Sequence, residues 1–395
     1  MIRHVLVHGR TAVSAFQDIA AARLVVDRGL LLAVVCLTSV GIVMMSSASF
    51  GIADRELGQP LYFLWRHVAY LTIGVMLGGL VLHTPLAFWQ KTGWIWLLGS
   101  VFLLLLVLVP GLGREVNGAM RWLSLGVVNV QPSEVVKLSV VIYLSDYLVR
   151  RHEEVRHAIG GFIKPMALLA WLCVLLLAEP DFGSSAVMMA TAMGMMFLGG
   201  VRLWQFGVLL TFVGVALAIL ALSAPYRLER VTAFLDPWAD PFASGFQLVQ
   251  ALIAFGRGEW FGVGLGSSIQ KLFYLPEAHT DFLLAVIAEE LGLVGTVSVI
   301  ALFGYVVLRA FVIGRHAERR GNPFGAYLAY GLGLWLAIQA FTNIAVNMGL
   351  LPTKGLTLPF MSYGGSSLVV MCVVVALLLR VAYETQRPRS TGAAA

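Results

Sequence analysis

Charge is what this chain has least of. Only 12% of its 395 residues are Asp, Glu, Lys or Arg, where a soluble globular domain carries roughly 25%. With 59% hydrophobic residues and a mean hydropathy of +0.86, that scarcity excludes a water-soluble enzyme. Cysteine is nearly missing too. Cys36, Cys173 and Cys372 all lie inside apolar runs, which leaves small buried hydrophobes rather than disulfide partners or zinc ligands. Alternating polarity is also lacking. The runs are continuously apolar over about 20 residues, so they read as bilayer-spanning helices and not as strands of a barrel. The net charge of +6 does not indicate nucleic acid, because the basic residues cluster at the ends of the runs.

What is present is a series of ten such runs, at roughly 29–48, 67–83, 94–110, 132–149, 166–179, 183–200, 203–222, 281–308, 325–347 and 364–382. The expected fold class is an all-α integral membrane protein of ten transmembrane helices. Ser46-Ser47-Ala48-Ser49 has the look of a cleavage site. The run before it is longer than a signal-peptide core, so it reads as a retained first span. Ten spans put both termini on one side. The loops 150–165 (Arg150, Arg151, Arg156, Lys164) and 309–324 (Arg309, Arg315, Arg319, Arg320) mark that side as cytoplasmic. The chain then divides into a cytoplasmic tail (1–28), a membrane domain (29–383) and a second cytoplasmic tail (384–395).

The long loops fall on the opposite, outer face: 50–66 and 110–131 are modest, 223–280 is the longest, and 347–363 is rich in Gly and Pro. Long loops in a compact protein are usually functional, so the chemistry is expected at the outer membrane surface. Residues 246–255 read as a short amphipathic helix at the interface. The glycines that follow include Gly262-Val263-Gly264-Leu265-Gly266. No strand precedes them, so a nucleotide loop is rejected; backbone that approaches a ligand is the expectation. Then Pro276-Glu277-Ala278-His279-Thr280-Asp281 leads into the eighth span. Thr280 suits an N-cap, with Asp281 in the first turn; ordinary capping is the plain alternative.

Ionisable residues at membrane depth point to function by default. Glu134 and Lys137, three apart at the start of the fourth span, can pair. That pair fits a structural bridge, a cavity wall, or both. Glu179 and Asp181 sit in a tight turn between the fifth and sixth spans, as turn chemistry or as acids lining an outward cavity. Glu289 and Glu290 lie deep in the eighth span and read as structural. The loop Asn347–Ser367 is too apolar for a soluble linker, so it is expected to re-enter and wall a cavity beside Asp281. Lys354, within it, is a candidate anion contact or a snorkelling side chain, and Ser362 a candidate cavity residue.

Several stretches resemble the SEDS family of polytopic membrane proteins (shape, elongation, division and sporulation), and within it the cell-division branch. They are EPDFGSSAV (179–187), AFLDPWADP (233–241), GFQLVQALIAFGRGEWFGVGLG (245–266), LPEAHTDF (275–282), AEELG (288–292) and NMGLLPTKGLTLPFMSYGGSSLV (347–369). The likeness covers roughly residues 30–383. Ser267 and Phe273 depart from the usual pattern, at positions outside the main motifs. The resemblance implies ten spans and peptidoglycan glycosyltransferase activity on lipid II at the division septum of a bacterial cytoplasmic (inner) membrane. It implies a single-pass class B penicillin-binding transpeptidase (FtsI-like) as partner, beside other divisome membrane proteins and membrane lipids. It places the family's essential acid on Asp281 and its cavity Glu and Lys on Glu134 and Lys137.

In that reaction the 4-hydroxyl of the incoming lipid II attacks C1 of a glycan held by undecaprenyl diphosphate. Asp281 is the candidate general base. The leaving diphosphate needs cations: Lys354, Arg257, Arg121 and Lys271 are candidates, as is a magnesium or manganese ion, although no cofactor is firmly implied. His279 either tunes Asp281, binds sugar or is a surface histidine. A lipid II flippase and a scaffold that activates the septal transpeptidase are the alternative functions. The outward clustering of charge favours surface chemistry over a path through the membrane.

Overall fold

In hydrocarbon every backbone N–H and C=O must find its partner within the protein, so apolar runs of this length have helix as their available form. The computed structural model describes residues 27–208, 210, 211, 214, 234–242 and 245–386, apart from 117–118, 125 and 127–128. Nine of the ten runs coincide there with helices: α1 (Arg28–Leu57), α2 (Tyr62–His83), α3 (Leu86–Val107), α4 (Pro132–Arg150), α6 (Gly160–Ala178), α7 (Phe182–Leu198), α9 (Leu283–Arg319), α10 (Pro323–Asn347) and α11 (Gly365–Gln386). A short α5 (His152–His157) follows α4, and α8 (Phe246–Gly258) precedes α9. The seventh run, 203–222, the loop start 223–233 and both expected tails lie largely outside the described residues. Seven of these helices are long and apolar enough to cross a membrane. Of the other two, α4 carries Glu134, Lys137, Asp146 and Arg150, and α7 is only 17 residues long.

The helix ends differ from expectation where capping intervenes. Asp27 accepts from the Leu30 N–H at 2.9 Å and starts α1. The helix then runs on to Leu57, so much of the expected 50–66 loop is helical. α11 continues to Gln386, past the expected boundary at 383. α11 packs on α2, α9 packs on α10, α8 and α1, and α10 packs on α7 and α4. α10 and α11 therefore form the centre, with Trp335 wholly buried. α2 and α3 turn Trp65, Met76, Leu80, Leu98 and Phe102 outward, as helices facing lipid do.

Two features depart from the all-helical expectation. Residues 110–131, read as a plain loop, contain a three-stranded antiparallel sheet of β1 (Gly113–Val116), β2 (Ala119–Ser124) and β3 (Asn129–Val130), in the order β1-β2-β3. The eighth span is also broken. Gly292 has φ +68° and ψ −165°, so α9 is two helical segments meeting at that residue. A break frees backbone groups that lipid cannot satisfy. Here residues 259–264 satisfy them: Val263 and Gly264 donate to the carbonyls of Glu289 (2.9 Å) and Glu290 (3.1 Å), and Leu293 and Val294 donate to those of Glu259 (2.9 Å) and Trp260 (3.1 Å). Such contact needs glycine. A Cβ at Gly258 would lie 1.8 Å from the Ala288 carbonyl oxygen, and one at Gly262 2.1 Å from that of Glu290. Of the glycines expected to approach a ligand, Gly262 and Gly264 approach this helix.

Candidate active site

The turn before α9 sets the position of Asp281. Glu277 adopts the left-handed conformation, φ +56°. The Thr280 hydroxyl turns back to it, donating to the Glu277 carbonyl (3.1 Å) and carboxylate (2.7 Å). Thr280 is thus engaged locally, as short hydroxylated side chains often are, and does not cap α9. The helix begins at Leu283, with Phe282 giving no side-chain cap, so Asp281 stands ahead of the helix and not in its first turn. Two amides of α10 hold it instead. Asn343 Nδ2 and Asn347 Nδ2 donate to the Asp281 carbonyl at 2.8 and 2.9 Å.

The Asp281 carboxylate itself is left open. It is half-buried, and among the described residues it accepts no hydrogen bond. The chain of 347–363, expected to re-enter, passes beside it: a Cβ at Gly355 would stand 3.2 Å from Asp281 Oδ2. Burial pushes this carboxyl up to about 7; the negative charge of Glu277 adds to the rise and Arg121 opposes it. A carboxyl poised near neutrality suits proton transfer.

Arg121 ties the sheet to the site. It projects from β2 and donates to the carbonyls of Glu179 (3.1 Å) and Pro180. Glu179 is buried, and neither carboxyl oxygen has a partner among the described residues. Burial and the charge of Asp181 push it up to about 8, again against Arg121. Asp181 caps α7 by accepting from the Ser184 N–H at 3.1 Å, which is the turn chemistry considered above. Lys354, next to Gly355, is half-buried with its ammonium 4.9 Å from the centre of the Phe182 ring. Arg121, Glu179, Asp181, Glu277, Asp281 and Lys354 therefore cluster on the expected outer side.

Other candidates lie elsewhere. Arg257 pairs with Glu289 (3.1 Å) and Lys271 with Glu290 (2.7 Å) at the break in α9, so both cations are spent on buried acids. His279 is buried, not at the surface, and its ring packs on Phe63 (4.7 Å) and Tyr363 (5.8 Å). Burial lowers its pKa, against the pull of Glu277 and Glu56. Ser362 is buried and accepts from the Leu358 N–H at 3.0 Å, closing a turn of the 347–363 loop. Glu134 and Lys137 do pair, at 2.8 Å and almost without exposure. Lys137 also donates to Gln339 at 3.1 Å and sits 5.2 Å from the Trp335 ring centre.

Gln339, Asn343 and Asn347 escaped sequence reasoning. Their signal was available as three amides spaced by four in an apolar run. No group of three or more His, Cys, Asp or Glu side chains is gathered to hold a metal ion among the described residues. Among the described residues, then, no protein cage for magnesium or manganese is gathered.

Comparison with known proteins adds independent weight. Residues 28–387 match the FtsW/RodA/SpoVE family model, described as "Cell cycle protein". The "Probable peptidoglycan glycosyltransferase FtsW" of Nitrosococcus halophilus is 60% identical over 92% of this chain and 94% of its own length. Its counterpart of the same description in Thioalkalivibrio sulfidiphilus is 58% identical over 91% of this chain and 90% of its own. Among solved structures, a chain from work on "structural coordination of polymerization and crosslinking by a peptidoglycan synthase complex" superposes with a TM-score of 0.76. It is 28% identical and covers 93% of this chain and 100% of that one. The rod shape determining protein RodA of Thermus thermophilus gives a TM-score of 0.66 at 26% identity, over 92% of this chain and 99% of its own.

Proposed function

The chain belongs to the FtsW/RodA/SpoVE family of cell cycle proteins, and from that premise we propose that it is a peptidoglycan glycosyltransferase that polymerises lipid II on the outer face of the cytoplasmic membrane during septation. Asp281 is the general base. It takes the proton of the 4-hydroxyl of the lipid II GlcNAc as that oxygen attacks C1 of the MurNAc that ends the growing glycan. The bond from C1 to undecaprenyl diphosphate breaks as the new glycosidic bond forms, the anomeric centre inverts, and no covalent enzyme intermediate is needed. A positioned base contributes about 10²–10⁴-fold. Arg121 and Lys354 are the cations proposed to stabilise the departing diphosphate. The partner is the septal class B transpeptidase, which crosslinks the strands.

One observation carries this reading: a single carboxyl with an open, half-buried side chain, a fixed backbone and a pKa brought up to about 7. Arg121 acts electrostatically on the Asp281 carboxyl and Lys354 precedes Gly355, which passes beside that carboxyl, so these two are the favoured cations. The test is glycan synthesis from lipid II by the purified protein with its transpeptidase, whose active site is blocked. Long glycans from wild type and none from an equally folded, equally complexed Asp281→Asn support the reading. Equal synthesis by both removes Asp281 as the base. No synthesis by either, with lipid II crossing a liposome bilayer instead, replaces the polymerase by a flippase.

A further inference from the structure

Three amides spaced by four residues on α10 hold the site from behind. Gln339 Oε1 accepts from the Lys137 ammonium (3.1 Å) and the Trp335 indole (2.8 Å), while its Nε2 donates to the Thr357 carbonyl at 3.2 Å. Asn343 Nδ2 donates both to the Asp281 carbonyl (2.8 Å) and to the Leu356 carbonyl (2.6 Å). Asn347 Nδ2 donates to the Asp281 carbonyl at 2.9 Å, and its Oδ1 accepts from the Ala285 N–H at 3.2 Å. All three residues are buried, Gln339 and Asn347 with no exposed surface.

We propose that Gln339, Asn343 and Asn347 are positioning residues for the glycosyl transfer: they fix the backbone of Asp281 and of the irregular chain 355–357 beside it, and they link both to the buried Glu134–Lys137 pair. The proposal rests on Asp281 acting as the base.

The physical case begins with the backbone. Residues 351–358 and the turn before α9 are irregular chain packed against the centre of a membrane protein, and their carbonyls need donors that lipid cannot supply. An amide supplies two donors and an acceptor without charge, whereas a charged group at that depth would need its own partner. Positions i, i+4 and i+8 lie on one slanting face of a helix over about 12 Å, so a single helix face serves three points of the site. Asn347 also supplies α9 with the cap that its own Phe282 does not.

Because the Asp281 carboxylate has no hydrogen-bond partner among the described residues, its place is set by its Cα, and the two asparagines hold its carbonyl. A displacement of about 1 Å at a reacting group costs on the order of 10²-fold in rate. The same face bonds the carbonyls of Leu356 and Thr357, next to Gly355, where a Cβ would stand 3.2 Å from Asp281 Oδ2, so one displacement would shift both the carboxylate and the chain beside it. The Glu134–Lys137 pair acts through this face as an anchor, since Lys137 shares Gln339 with the Thr357 carbonyl.

The experiment uses the full chain in complex with its transpeptidase, with lipid II as substrate. Asn343→Leu removes both donors while keeping the number of side-chain heavy atoms. The expected result is kcat lower by roughly 10- to 100-fold with KM within about twofold, and a displaced acid limb in the pH–rate profile. In an Asp281→Asn background the same change should alter the residual rate by less than about twofold, because residues acting as a unit are not additive. Asn347→Leu leaves Asn343 on the carbonyl and should cost less; it decides the matter by the same criteria if Asn343→Leu does not fold. A folded variant with wild-type kcat and pH profile, or with a change in KM alone, beside a strongly impaired Asp281→Asn, overturns the positioning role. Equal synthesis by wild type and Asp281→Asn removes the base assignment and this proposal with it.

Discussion

Residues 277–290 carry two sets of acids that the fold treats in opposite ways. Deep in the span, Glu289 accepts from Arg257, the Ser268 hydroxyl and the N–H groups of Ile269 and Gln270. Glu290 accepts from Lys271, the Ser47 hydroxyl and the Ser268 N–H. Both are buried and saturated. At the mouth of the span, Asp281 has its backbone gripped and its carboxylate left open. Burying a charge is tolerable only when partners replace water, so the first set reads as construction. An acid whose backbone is fixed and whose carboxylate is unspent among the described residues fits the proposed base. Acids eight or nine residues apart thus serve different ends, and the number of hydrogen bonds each receives separates them more clearly than depth does.

The comparison predicts that stability and activity come apart. Lys271→Met leaves Glu290 buried without its cation, and breaking a buried pair costs about 3–5 kcal/mol. The expected outcome is a large loss of folded protein, seen as a lower thermal midpoint in detergent and poor yield. Asp281→Asn should leave that midpoint almost unchanged while lowering glycan synthesis by about 10²–10⁴-fold. If Asp281→Asn unfolds the protein and Lys271→Met does not, the division between the two sets is wrong. Gly292→Ala tests the break that brings the structural set together. At φ +68° an alanine is strained by about 1–2 kcal/mol, and its Cβ would stand 2.4 Å from the Gly262 nitrogen. A loss of at least about 2 kcal/mol in thermal stability is expected.

Most of the helices were legible in the sequence because the bilayer leaves an apolar run no other regular form. The Glu134–Lys137 pair was legible because spacing by three on a helix is a local fact. What depended on distant partners was not. Gly292 sits in an apolar run that reads as continuous; the break becomes visible only when residues 259–264, far back along the chain, bond into it. Thr280 looked like a cap because the rule is local, but Glu277 offered its hydroxyl a nearer partner. The sheet carrying Arg121 rests on pairings such as Arg114 with Trp122 and Leu123 with Val130, which no periodicity announces. The amides of α10 were written in the chain, yet amides also occur as helix polarity of no consequence, and only the Asp281 carbonyl shared by Asn343 and Asn347, with the reach of Gln339 to the Thr357 carbonyl, gives them meaning.

The smallest expected effect concerns the tuning of Asp281, and it separates electrostatics from position. Glu277→Gln removes a negative charge while keeping an oxygen for the Thr280 hydroxyl. Glu277 raises the Asp281 pKa and Arg121 lowers it. As a base, Asp281 works when deprotonated, so wild-type synthesis should be half-maximal at pH about 7, rise toward its full value as the pH goes above that and fall as the pH drops below it. Removing the Glu277 charge favours the ionised carboxylate, so the acid limb of the variant should move to lower pH. The variant should then keep a larger fraction of its maximal rate at acidic pH than wild type does. Its maximal rate should fall slightly, because a less basic carboxylate is a weaker proton acceptor. Arg121→Gln should move the limb the other way, to higher pH, and should also weaken stabilisation of the diphosphate. The measurement is the initial rate of glycan synthesis across pH for the three proteins at saturating lipid II. Opposite displacements support Asp281 as the titrating base; displacement in the same direction, or none in either, would assign the limb to another group.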